Sequence, residues 1–292
     1  MLIYRGHSDN IFALAWSPDG RYLASAGRDH TVHVWQALCG ENVCVYRAHR
    51  GPVLSLAWSP DGTRIASGDT AGESHIWSAF TGTQLRIYRG HKRFVRSLAW
   101  SPDGTRLASG GDLGDSTVQV WQADTGQLLA TRTEQYRIFA VAWSPDGQRL
   151  AAASFAGGVH TWEAGSNERV CTYQRHIGPV YALAWSPDGS TLASAGEDRY
   201  VHIWADVSGN LLYTYAMHTQ PIKALGWSPH DAADPLLASG GEDTGLRVWR
   251  AFTGEDVHLY TGHAQWIRAL CWSPDGCSVA SASEHAVHVC RL

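Results

Sequence analysis

The sequence predicts an all-β protein: a ring of seven small antiparallel sheets, each of four strands. Three observations carry this expectation. First, the pentapeptide Trp-Ser-Pro-Asp-Gly stands complete at Trp16–Gly20, Trp58–Gly62, Trp100–Gly104, Trp143–Gly147, Trp185–Gly189 and Trp272–Gly276, with a worn copy, Trp227-Ser228-Pro229-His230-Asp231. Its Trp residues are 42, 42, 43, 42, 42 and 45 residues apart, and fixed periods of this size mark repeat architectures. Second, each period divides into four short apolar runs separated by turn residues, and none has the length and period of an amphipathic helix. Third, small residues stand one and three places before every turn Trp: Ala13/Ala15, Ser55/Ala57, Ser97/Ala99, Ala140/Ala142, Ala182/Ala184, Ala224/Gly226 and Ala269/Cys271. Side chains alternate along a strand, so these share one face. Small residues on the same face of every first strand imply strands converging on an axis.

The first repeat sets the pattern. Ile11–Trp16 is an apolar run ending at a turn and reads as a buried strand. In that turn Pro pre-sets φ and Gly closes it. Arg21–Ala26 is the second strand, Thr31–Trp35 the third and Val43–Tyr46 the fourth. The remaining repeats follow, with first strands starting near residues 11, 53, 95, 138, 180, 222 and 267 of a single domain spanning 1–292. Six further Trp lie 19 to 22 residues after the turn Trp, at 35, 77, 121, 162, 204 and 249; only Trp266 is off the pattern. Tyr recurs in the fourth strand at 4, 46, 88, 173, 215 and 260.

Composition removes several classes. No apolar run approaches the ~18 residues of a membrane span, and no signal-peptide pattern follows Met1. The net charge of −4 argues against a general nucleic-acid binder. The six Cys have neither CxxC pairing nor metal-ligand spacing, and read as reduced packing residues of a cytoplasmic protein.

Over its whole length the sequence resembles the WD-repeat family, whose members are β-propellers. The resemblance rests on four residues per repeat: a His before the first strand, a Ser in the second, an Asp in the following loop and a Trp in the third. Repeat one has His7, Ser25, Asp29 and Trp35; repeat three His91, Ser109, Asp115 and Trp121; repeat five His176, Ser194, Asp198 and Trp204; repeat six His218, Ser239, Asp243 and Trp249. In the family these form a buried hydrogen-bonded network, worthwhile only if every member is satisfied, so these four repeats are expected to be the rigid ones. Repeat two keeps His49, Ser67 and Trp77 but has Ala71 at the Asp place, with Asp69 two residues early. Repeat four has Glu134, Ala152 and Ala156 in place of His, Ser and Asp. Repeat seven has Glu284 near the Asp place and Cys290 for Trp. The Trp-Asp dipeptide that names the family is absent. The resemblance implies a seven-bladed β-propeller with four antiparallel strands per blade. It also implies that residues 2–5 supply the fourth strand of the last blade and close the ring, leaving no free edge.

The search for chemistry returns structure. There is no HExxH, P-loop or GxSxG. Ser, His and Asp recur together in four repeats, where they are explained as the network, and a catalytic triad repeated fourfold makes little sense. Five of the fifteen His (33, 75, 160, 202 and 288) share one place in the third strand. Third strands of adjacent blades should be on the order of 15 Å apart at ~4.8 Å per strand, too far to share an ion. These His are therefore read as packed or edge-exposed. The expectation is no enzyme, no cofactor and no metal.

What remains is surface recognition. In the family, the loops before the first strand and after the second surround one mouth of the central channel, the top, and partner contacts come from residues four and six places before the turn Trp. At four stand Phe12, Leu54, Arg96, Phe139, Tyr181, Lys223 and Arg268; at six, Asn10, Pro52, Phe94, Arg137, Pro179, Pro221 and Trp266. By alternation both rows point the same way. Aromatic and Arg residues, the types enriched in binding hot spots, dominate them. The expected site is Phe12, Leu54, Phe94, Arg96, Arg137, Phe139, Tyr181, Lys223, Trp266 and Arg268, with Arg28, Glu197 and Glu242 as a mixed-charge rim. The expected partner is a protein or peptide segment combining acidic with aromatic or other apolar residues, bound by a monomeric, non-catalytic scaffold. Two further readings share the fold: a sensor or regulatory part of a larger bacterial-type signalling protein, such as a nucleotide-dependent switch or kinase, and an enzyme or small-molecule binder in the channel.

Overall fold

Each repeat folds into one antiparallel four-stranded sheet in a computed structural model that describes residues 1–112, 114–166, 168–229 and 234–292. His230 and Asp231 of the worn pentapeptide lie outside the described residues. In blade one the strands Ile11–Trp16, Tyr22–Gly27, Val32–Gln36 and Asn42–Tyr46 pair in that order. Five more blades repeat it, with first strands beginning at Val53, Val95, Ile138, Val180 and Ile222. In the last blade Ala269–Trp272, Ser278–Ser283 and Ala286–Arg291 are completed by Leu2–Tyr4, with Leu2 opposite Val289 and Tyr4 opposite Val287. First strands of neighbouring blades touch all the way round, the last against the first, so the ring is closed. This last blade's first strand begins at Ala269, two residues after the expected 267, and the Ile267 amide is bonded to the Gly241 carbonyl of blade six at 3.0 Å.

The pentapeptide builds a local lock. In Ser17-Pro18-Asp19-Gly20, the Ser17 hydroxyl donates to Asp19 Oδ1 at 2.6 Å and accepts from the Tyr22 amide at 2.9 Å. Gly20 sits at φ 73°, in the left-handed region where a side chain would be strained. The Trp adds a link between blades. Six turn indoles, from Trp58 onward, each donate to a first-strand carbonyl of the preceding blade, from Ala15 to Gly226, at 2.9–3.2 Å. Trp16, at the closure, has its indole nitrogen buried with no acceptor among the described residues.

The apolar core lies between blades. One cluster joins Ala24, Val32, Val34 and Tyr46 of blade one to Val53, Leu56, Trp58 and Trp77 of blade two. Fourth-strand Tyr residues cross the same joints. Tyr4, Tyr46, Tyr88, Tyr173 and Tyr215 stack on the third-strand Trp of the next blade at 3.9–4.6 Å between ring centres. Their hydroxyls reach the residue two places before that Trp in four of these joints: His33, His75, Gln119 and His202. These His are thus packed members of the joints, as expected. All six cysteines are unpaired, Cys39 and Cys277 being exposed.

Candidate functional site

The scaffold of the site is the buried network. In blade one His7 Nε2 lies 2.8 Å from Ser25 Oγ and Nδ1 2.8 Å from Asp29 Oδ2, while Trp35 Nε1 donates to Ser25 Oγ at 3.2 Å. Asp29 also accepts the Ser8 and Thr31 amides, so the loops before the first strand and after the second are tied together. Burial alone would push the Asp29 carboxyl up; the hydrogen bonds from His7, Thr31 and Ser8 outweigh it and hold the group well below the usual carboxylate range. Blades five and six repeat all three links.

Two expectations about the network are corrected. Blade two is complete: Asp69, the last residue of its second strand, reaches His49 Nδ1 at 2.9 Å and so replaces the missing loop Asp. Blade three is not. His91, Ser109 and Asp115 are joined, but the Trp121 indole nitrogen is buried without an acceptor, and Ser109 Oγ lies 3.5 Å from the Gln119 carbonyl. In blade four Glu134 pairs with His160 at 3.0 Å and Arg169 at 3.2 Å. In blade seven the one side-chain bond of His263 among the described residues is to Ser281, at 2.7 Å; Glu284 is exposed, and its side chain is not joined to His263.

The first strands aim residues at the channel mouth by a device that alternation does not foresee. Pairing with the second strand skips a residue in blades one to six: Ile11 opposes Gly27 and Ala13 opposes Ala26, leaving Phe12 unpaired. Leu54, Arg96, Phe139, Tyr181 and Lys223 are bulged in the same way. A bulge bends its strand and re-aims the side chain. These residues, with Phe94, Trp266, Arg268 and Thr70, line a cleft of about 420 Å³ over the channel. The row six places before Trp adds Phe94 and Trp266 to this lining.

Arg137 is the one expected residue outside the lining. Its guanidinium lies 4.5 Å over Phe155 and 5.8 Å over Phe139. Phe155, Thr70 and Asp112 were not foreseen. They stand three places after the second-strand Ser or its equivalent, a third row that includes Arg28, Glu197 and Glu242. Their amides bond the carbonyl that precedes each first strand, as Thr70 to Pro52 and Glu197 to Pro179. The same counting from the Ser would have found this row.

That third row revises the electrostatics. Glu197 and Glu242 are not a detached rim: Tyr181 donates to Glu197 at 2.7 Å, and Glu242 pairs with Lys223 at 3.0 Å. Lys223 Nζ also sits 3.5 Å from the Tyr181 ring centre. Arg96 reaches Asp112 at 2.8 Å. Arg268 differs. It lies 5.7 Å from the Phe12 ring and 5.4 Å from Trp266, its Nε is buried, and among the described residues no group accepts from its side chain.

Residues of metal-ligand type also meet inside single blades. Within a blade, His7, Asp29 and His33 bring ligand-type atoms within 4.8 Å of one another, as do His49, Asp69 and His75, and His176, Asp198 and His202. Both nitrogens of the network His and Nδ1 of the third-strand His are already hydrogen-bonded in all three sets.

Seven segments, residues 1–36, 40–78, 82–122, 126–163, 167–205, 209–250 and 254–289, match the family model described as WD domain, G-beta repeat. Over 32 residues the chain is 50% identical to a protein of Arabidopsis thaliana named cell division cycle 20.1, cofactor of APC complex; the match spans 11% of this chain and 7% of that protein.

Proposed function

Because the chain belongs to the WD-repeat family of β-propellers, a family of typically non-catalytic protein-interaction scaffolds, we propose that it binds a protein or peptide segment at the channel mouth formed by Phe12, Phe94, Arg96, Phe139, Trp266 and Arg268. The observation that carries this reading is the cleft itself. Aromatic faces and cations line it, most of them on first strands paired into the blades, so little ordering entropy is lost on binding. Arg268, held between two aromatic rings without a carboxylate, is the anchor for an acidic group of the segment, and the aromatic lining takes its apolar neighbours. The short match to a protein named as a cofactor of a complex supports a recruiting role.

The test is selection of peptides from a random display library on the wild-type protein, followed by titration against variants. Trp266→Ala and Arg268→Ala should each weaken the selected peptides at least tenfold, as truncating a hot-spot residue does at about 1.4 kcal/mol per tenfold. Selected peptides that bind both variants as tightly as wild type would place the site elsewhere.

A further inference from the structure

Blade seven contains a network His without its carboxylate. In blades one, three, five and six the Asp Oδ2 accepts from two donors together: the His Nδ1 at 2.7–2.8 Å and the following amide, that of Ser8, Lys92, Ile177 or Thr219, at 3.0–3.2 Å. In blade seven the corresponding ring, His263, is held as the others are. It is 5% exposed, bonds Ser281 through Nε2 and stacks on His288 at 4.2 Å, as His7 stacks on His33 at 4.0 Å. Its Nδ1 therefore points to the carboxylate place. Among the described residues neither that nitrogen nor the Ala264 amide has a partner.

The cause is a shortened hairpin. Five residues separate Ala26 from Val32 in blade one, but four separate the equivalent pair Ala282 and Val287, and Ser283 pairs with Ala286 across a two-residue turn. The residue that would carry the carboxylate is missing. In its place is a cleft of about 120 Å³ walled by His263, Ala264, His285, His288, Arg5 and the exposed Glu284. Several water-sized volumes fit there.

We propose that this cleft is a carboxylate-binding site, in which His263 Nδ1–H and the Ala264 amide donate to an incoming carboxylate as their counterparts do to the network Asp, with Arg5 adding positive charge. This does not rest on the channel mouth being a binding site. A metal ion is disfavoured, because His263 Nε2 and His288 Nδ1 are already bonded to Ser281 and Tyr260.

The intact protein, ¹⁵N-labelled, is titrated with sodium formate at constant ionic strength, and the His263 ring and Ala264 amide resonances are followed. His218 and Thr219 in blade six, where Asp243 fills the same place, are the internal control. The expected result is a saturable shift at His263 and Ala264 with a dissociation constant in the millimolar range, on the order expected for so small a ligand. Chloride should leave these resonances unmoved, as should formate those of His218 and Thr219. Glu284→Gln, at an exposed turn, should tighten formate roughly threefold by removing a like charge. N-acetylaspartate amide as a second ligand separates the sources: a shift with both identifies a carboxylate side chain as an admissible occupant, and a shift with formate alone identifies a small free anion. No saturable shift, an equal shift at His218, an equal effect of chloride, or a response to Zn²⁺ but not formate would overturn the proposal.

Discussion

Ser67 holds two buried rings with one hydroxyl, 2.7 Å from His49 Nε2 and 3.0 Å from Trp77 Nε1. Ser67→Ala removes the partner of both, and unmet buried polar groups cost about 1–3 kcal/mol each. Ser281 in blade seven serves only His263, since Cys290 replaces the Trp. Urea unfolding should therefore give a loss of roughly 2–4 kcal/mol for Ser67→Ala and about half of that for Ser281→Ala. Equal losses would mean that the indole bond contributes nothing. Three buried imidazoles, those of His33, His202 and His263, make the fold acid-sensitive. Burial, and next the adjacent network His, hold His33 and His202 at about 4, against an ordinary 6.5; burial and His288 hold His263 at about 3. Between pH 6.5 and 4 the unfolded chain protonates these rings while the folded one does not, so stability is full above pH 6.5 and falls as the pH drops through this window. His202→Gln should flatten the fall in unfolding midpoint over that window without disrupting the joint, because Gln119 already serves Tyr88 at the same place at 2.8 Å.

Among the elements, the joint between blades three and four departs from the others. The place held by a fourth-strand Tyr elsewhere is held by Arg132: it opposes Val118, as Tyr46 opposes Val32 and Tyr173 opposes Val159. Its guanidinium lies 5.3 Å over Trp162, buried, with Nε and Nη1 lacking acceptors, and burial pulls its pKa down to about 10. Its Nη2 donates to the Glu163 carbonyl at 3.5 Å, but no carboxylate pairs with it among the described residues; a buried charge so weakly compensated is costly, and replacing it with a well-packed ring is favourable. Arg132→Tyr should raise the unfolding free energy by about 1–2 kcal/mol in urea titrations. A loss would mean that the guanidinium is better satisfied than its neighbours allow. The bulged first strands act at the same scale: one extra residue per blade turns a side chain of the inner strand into a wall of the mouth.

Across the whole molecule, stability passes from blade to blade through joint cores, so the weakest closure governs the ring. That closure is Leu2–Tyr4 against Ala286–Arg291, where Trp16 also lacks the indole bond that the other six turn Trp make. Removing residues 1–5 would expose the outer edge of Ala286–Arg291 and take Tyr4 from its stack on Trp35. The truncated chain should unfold at a lower temperature and scatter light through edge-to-edge association. An unchanged, monomeric melt would show that closure is not the limiting joint.

Seven blades were legible in the sequence from counting along a fixed period; the pairing of the two chain ends, the network positions of blades one, five and six, and nine of the ten residues lining the cleft were reached by laying the family resemblance on that period. Three things were not. Asp69 enters the network from inside a strand, where the expected loop place is Ala71. Trp121 has the right spacing but misses its acceptor. Glu242 and Asp112 meet Lys223 and Arg96 only because the loop after the second strand is bonded to the one before the first.

By itself the sequence determined the seven-fold architecture, since a repeat fixes position by register and each Trp-Ser-Pro-Asp-Gly turn resets that register. The tertiary structure alone decided which charges are neutralised, which network members are satisfied, and where a carboxylate is missing. Those depend on approaches of a few tenths of an ångström between segments that the sequence places about twenty residues apart, and hydrogen bonds and ion pairs are made or lost over such distances.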